Sequence, residues 1–160
     1  MCLIYRKVTI LTAILFYAAQ SIVQAGGGGN TDDKKVGGIH VVVKNLKSAK
    51  GQLLVAVFNS KSGFPDDASK AYWKKKAKLD KAQYDFVIPH LPPGNYAVVV
   101  VHDEDGDGKM QKSIIGMPKE GVGISRCGSK IEMMKKPNYQ ESAIMVENQV
   151  VKESLRINYF

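Results

Sequence analysis

The sequence predicts an all-β fold, an antiparallel β-sandwich of six to eight strands with one short helix. Three observations carry this expectation. Six short runs rich in β-branched and aromatic residues are bounded by glycine, proline, asparagine or aspartate, as strands require. Two of them, LLVAVF and AVVVV, are apolar on both alternating faces, which places them centrally in a sheet. Only one connecting stretch lacks alternation over a length that suits a helix, so strands dominate the chain.

The first run, IHVVVKNL (residues 39–46), is followed by SAKGQ, whose glycine suits a hairpin into QLLVAVFN (52–59). The next segment, NSKSGFPDDASKAYWKKKAKL, does not alternate; Ser62 or Asp66 supplies a cap, and the one short helix is expected here. AQYDFVI (82–88) then leads through LPPGNY into YAVVVVHD (96–103). Pro93 suits the first central position of a type II turn, and Gly94 the positive φ required at the second. SAIMVEN (142–148) and VVKESLRINY (150–159) supply the last two strands, and no internal repeat is apparent.

The first residues have the layout of a secretory signal peptide: Arg6 and Lys7, an apolar run from Val8 to Ala19, and the small-x-small pattern Val23-Gln24-Ala25. The apolar run is shorter than the roughly 20 residues of a membrane-spanning helix, so cleavage after Ala25 is expected rather than an uncleaved anchor. Cys2 precedes that run, which argues against a lipid-bearing cysteine at the cleavage site. The expected organisation is a cleaved signal peptide (1–25), a flexible glycine-rich leader (26–37, GGGGNTDDKKVG) and a single soluble domain (38–160). Export makes nucleic acid an improbable partner, and the periplasm or the extracellular space the expected location.

Loss of Arg6 and Lys7, with no acid removed, lowers the net charge from +8 to +6. Much of it lies in KAYWKKKAKLDK, where Lys70, Lys74, Lys75, Lys76 and Lys78 surround Tyr72 and Trp73. Such a cluster suits contact with an anionic surface, and equally a solvated face around one buried aromatic. Cys127 is the one cysteine left, so no internal disulfide can form and stability must come from packing.

The densest chemistry lies in VVVVHDEDGDGKM (98–110). Asp103, Asp105 and Asp107 on alternate positions, closed by Gly108, match the front half of an EF-hand loop, with the Lys109 carbonyl at the seventh position. The twelfth position is Ile114 where an EF-hand places a bidentate glutamate, and the incoming segment is a strand, so this is not an EF-hand. Two readings remain. A calcium site forms if another acid closes the shell, Glu104 and Glu120 being nearest in sequence; otherwise this is a solvated β-turn, which uses the same residue types. His102, with His40 and His90 on other strands, lacks a second ligand at fixed spacing for a softer metal. There is no G-x-S-x-G, C-x-x-C, H-E-x-x-H or phosphate-binding glycine loop, so no catalytic residues are assigned and an enzyme is not favoured.

Together, NLKSAKGQLLVAVFNSKSGFP, LPPGNYAVVVVHDEDGDGKM, IGMPKEGVGIS and KPNYQESAI resemble the bacterial domain-of-unknown-function 2141 family over residues 39–160. The resemblance implies an exported protein of a Gram-negative bacterium with a transthyretin-like or immunoglobulin-like sandwich, and it brings no established activity. It carries over motif positions: His102, Asp103, Glu104, Gly106, Gly108 and Lys109, then Gly116, Pro118, Lys119 and Glu120. Family members commonly have asparagine at the positions of Asp105 and Asp107, and asparagine also ligates calcium through its carbonyl oxygen. The chain departs from the pattern after GIS, where RCGSKIEMMKK intervenes, and it ends RINYF rather than in the Tyr-Arg-Gly-Ser signature of the hydroxyisourate-hydrolysing branch of the transthyretin fold.

The expected function is that of an exported, non-enzymatic domain binding a small ligand or envelope component through the loops at 103–110 and 114–125. The residues expected to bind are His102, Asp103, Glu104, Lys109, Lys119 and Glu120. A calcium-stabilised structural domain is the alternative, and a hydrolase using His102 with Asp103 or Glu120 is a further one.

Overall fold

The computed structural model describes residues 36–110, 114, 118–128 and 136–160. The expected signal peptide, the leader up to residue 35 and the motif position Gly116 lie outside the described residues. The strands are β1 (Gly37–Lys44), β2 (Gln52–Phe58), β3 (Trp73–Lys78), β4 (Tyr84–Leu91), β5 (Gly94–Asp103), β6 (Gly121–Ile124), β7 (Ile144–Val146) and β8 (Val150–Arg156). A single helical turn, α1 (Tyr139–Ser142), precedes β7 and is capped by the Asn138 side chain. Among the described residues no helix is long and apolar enough to cross a membrane.

The strands form the expected all-β sandwich of two sheets. One sheet runs β4-β1-β8; the other runs β3-β2-β5-β6, with β7 also pairing to β5. Ile39, Val41, Leu53, Val55, Val98, Val100 and Leu155 fill the space between the sheets. Ala56, Phe58, Ala97, Val99, Val122 and Ile124 form a second cluster on the outer face of the larger sheet, under Phe64 and Tyr139. Phe64 meets Phe58 edge-on at 5.5 Å and Tyr139 at 5.8 Å between ring centroids. β2 and β5 are therefore apolar on both alternations because both faces of their sheet are covered.

Several local expectations are corrected. The lysine-rich segment is not helical: WKKKAK is edge strand β3, antiparallel to β2, and only the 3-10 turn Ala68–Lys70, capped by Asp67, stands in place of the helix. Ala77 is buried against the core and Trp73 packs on it, while Lys74, Lys75 and Lys76 line an edge that their charges protect from further strand pairing. SAKGQ is no hairpin, because β1 and β2 belong to different sheets. Gly94 is not among the positive-φ residues; LPPG crosses between the sheets, held by the Tyr96 hydroxyl donating to the Pro92 carbonyl at 2.8 Å. β8 runs parallel to β1, the exception in an otherwise antiparallel structure. After β8 the chain crosses to the other sheet, where Asn158 and Val122 exchange backbone hydrogen bonds of 2.8 Å each.

Candidate metal site

β5 delivers His102 and Asp103 to one end of the sandwich, and the alternation of a strand turns them to opposite faces. His102 faces inward and is fully buried. Its Nε2 lies 3.0 Å from the Lys50 carbonyl oxygen and its Nδ1 2.7 Å from the Tyr159 hydroxyl. A carbonyl can only accept, so this network assigns the proton to Nε2, and Nδ1 accepts from Tyr159. Burial pushes the Tyr159 hydroxyl pKa up, which keeps it a donor. The same hydroxyl accepts from the Lys47 N–H at 3.1 Å, and the Lys47 ammonium stands 4.9 Å from the ring centroid. His102 thus ties the segment after β8 to the loop after β1. Tyr159→Phe removes both hydrogen bonds of the hydroxyl and leaves the buried His102 Nδ1 without a donor, so it is expected to lower stability by about 1–3 kcal/mol in urea unfolding.

Glu104 turns towards that same loop. Its carboxylate pairs with Lys47 Nζ at 2.7 Å and accepts from Ser48 Oγ at 2.8 Å. The Lys47 hydrogen bond holds its pKa below the ordinary glutamate value, against the opposing pull of partial burial and with help from Ser48. Glu104 is therefore engaged away from the aspartates.

Asp103 faces outward into its own loop and is fully buried. Gln52, its cross-strand neighbour on β2, donates Nε2–H to Oδ2 at 2.7 Å. The N–H of Gly108 donates to the same oxygen at 2.9 Å, and that of Gly106 to Oδ1 at 2.7 Å. Burial pushes the Asp103 pKa up, but these donors outweigh it and hold the carboxyl below the ordinary value. Further along, Asp105 Oδ1 accepts from the Asp107 N–H at 3.1 Å, and Asp107 Oδ1 from the Lys109 N–H at 2.7 Å. Each of these two aspartates thereby closes a turn on the residue two places on. Gly106 and Gly108 take φ of +76° and +79°, the left-handed backbone this wrapping needs.

The fourth acid arrives from β6. His102 pairs with Gly121 across the β5–β6 ladder, so the preceding residue, Glu120, falls beside Asp103. Glu120 is 8% exposed and both its carboxylate oxygens are shielded from solvent. One carboxylate oxygen from each of Asp103, Asp105, Asp107 and Glu120 lies within 4.8 Å of the others. Calcium holds its oxygens at 2.3–2.6 Å, so oxygens on opposite sides of the ion stand about 5 Å apart. The cluster therefore has the span of a calcium shell, and its all-oxygen donor set suits a hard cation.

Of the residues expected to bind, the structure gathers Asp103 and Glu120 with Asp105 and Asp107. His102 and Glu104 are turned elsewhere, while Lys109 and Lys119 are exposed at the rim. Of the two acids named to complete the shell, Glu120 converges, because strand pairing returns it to the end of β5. Gln52 is a positioning residue that sequence reasoning missed; its signal is the pairing of β2 with β5, which puts position 52 opposite 103. The pairing of His102 with Asp103 or Glu120 that a hydrolase would need is not made, since both ring nitrogens are engaged on the inner face.

No curated protein and no solved structure matches the chain. A family described as an uncharacterized protein conserved in bacteria (DUF2141) matches residues 41–154, a span from β1 into β8 that includes the whole acidic cluster. The chain belongs to that family.

Proposed function

We propose that the protein is an exported, non-enzymatic β-sandwich domain that binds calcium through Asp103, Asp105, Asp107 and Glu120. The ion-fixed surface of the loop at 103–110, beside the exposed Lys119 ahead of β6, then serves as the contact for a ligand or envelope partner; the stretch from Gly121 to Ile124, expected from the sequence to be loop, is the buried strand β6. One observation carries the metal reading: four carboxylates from two separate segments converge within 4.8 Å, one of them on a buried glutamate. Like charges held that close repel, and a divalent cation turns the repulsion into attraction. The turn reading accounts for Asp105 and Asp107, each of which closes a turn in its own loop, while the metal reading also takes in the buried Glu120 just ahead of β6. Outside the cell the ordinary calcium level supports sites with Kd of roughly 10⁻⁴–10⁻³ M, so high affinity is not required.

The test is thermal unfolding of residues 26–160 in EDTA and then with calcium, beside an Asp105→Asn/Asp107→Asn/Glu120→Gln variant. At a calcium concentration of about 100 Kd the parent gains about 2.7 kcal/mol, a rise in Tm of roughly 10 °C, and the variant gains little. A parent that ignores calcium, with a variant at least as stable, would return the loop to a solvated turn and sink the proposal.

A further inference from the structure

Beside the second apolar cluster, a cavity of about 520 Å³ lies on the outer face of the larger sheet among the described residues. Its floor is Leu54 and Ala56 of β2 with Val99 and Val101 of β5. Strand register aligns these as two rows: Lys76, Leu54 and Val101 in one, Lys74, Ala56 and Val99 in the next. Each row thus runs from a lysine at the sheet edge to a valine in its centre. Pro65, Asp66 and Ala68 line the cavity from the loop after β2, and Gly108, Lys109 and Met110 from the loop after β5.

We propose that this groove binds a free single-chain amphiphilic carboxylate, of the fatty-acid class, with its chain along the valine floor and its head group among Lys74, Lys76 and Lys109. The volume falls within the roughly 300–1,000 Å³ typical of small-molecule sites. Among the described residues no aromatic side chain lines the cavity, and the floor suits a flexible aliphatic chain. The head group is anionic, because Lys74, Lys75, Lys76 and Lys109 line the cavity against one carboxylate, Asp66, which pairs with Lys136 at 3.2 Å. Met110 supplies an unbranched side chain that can follow chains of different length. The groove adjoins the acidic loop through Gly108 and Lys109, while its floor and lysine edge belong to β2, β3 and β5.

The test is a calorimetric titration of the protein with dodecanoate, kept below the concentration at which it forms micelles, in calcium-containing buffer. Acetate serves as the head group alone, and vesicles of anionic phospholipid as a membrane surface. Dodecanoate is expected to bind one to one while acetate does not. Lys74→Glu/Lys76→Glu, at exposed edge positions, is expected to weaken binding by about tenfold or more, as loss of charge-assisted hydrogen bonds does. Thermal unfolding of the variant confirms that it folds, and the selectivity of the parent for dodecanoate over acetate stands independently of it. Absence of dodecanoate binding, equal binding by the folded variant, or association with vesicles alone would each overturn the proposal, the last in favour of a membrane-docking surface.

Discussion

Gly51→Ala is expected to destabilise the domain by about 3 kcal/mol or more and to remove any response to calcium, although residue 51 touches no metal ligand through a side chain. Gly51 takes φ of +75°, and a Cβ there would stand 2.0 Å from the Asp103 carbonyl oxygen and 2.7 Å from the Glu104 Cα. Both are backbone atoms at the start of the acidic loop, so relief of the clash must move Asp103 itself. The Gly51 carbonyl also accepts from the Leu79 N–H at 3.2 Å, which ties the end of β3 to the same point. Gly106→Ala is the internal control. Its φ of +76° is just as unfavourable for alanine, but nothing lies within 4 Å, so it should cost only the backbone term of about 1 kcal/mol. Urea unfolding of the two variants separates strain from collision. Equal losses would show that close approach to Asp103 contributes nothing.

The sequence disclosed best what is repeated along one strand. LLVAVF and AVVVV announced their central places, since an uninterrupted apolar run at strand length has few other homes. β3 was hidden because its outward positions and its solvated edge are both filled by lysine; of WKKKAK only Ala77 and Trp73 mark the inner face. β6 was hidden for the opposite reason. Its inward positions are Gly121 and Gly123, where a Cβ would meet Tyr159 and Leu155 within 2.3 Å and 2.0 Å, so the strand carries no apolar signature where it packs. The acidic loop was legible as a motif, but its completion was not. Whether Glu104 or Glu120 comes to lie beside the aspartates depends on the β5–β6 register, and Glu104 pairs with Lys47 and Ser48, which lie 56 or more residues away in sequence. Both acids are near in sequence, and it is the pairing between strands that brings Glu120 beside Asp103. The parallel contact of β8 with β1 is likewise a product of chain crossing, which no local pattern encodes.

Asp103→Ala is expected to cost about 3 kcal/mol even in EDTA, because the carboxylate organises its loop before any ion arrives. The substitution leaves Gln52 Nε2 and the N–H groups of Gly106 and Gly108 without their acceptor, and an abandoned donor costs about 1–3 kcal/mol where it is buried and less where water replaces the partner. Asp105→Ala removes an exposed turn-closing bond to the Asp107 N–H and should cost less than Asp103→Ala, so a ranking of Asp103 above Asp105 without calcium is the mark of this arrangement. The pH dependence follows from the direction of the shift. The folded-state pKa of Asp103 lies below its ordinary value of 3.8, so the unfolded chain takes up the proton first as pH falls. The contribution is fully present above that ordinary value and is lost as pH drops through the lower folded value. Asp103→Asn keeps the side-chain shape but cannot titrate. It should flatten this part of the stability profile in EDTA while leaving the rest unchanged, and a profile that kept its full acid slope would place the titrating group elsewhere. With calcium present the slope of the parent should steepen, because protonation then also expels the ion, and that added steepness should vanish in the asparagine variant.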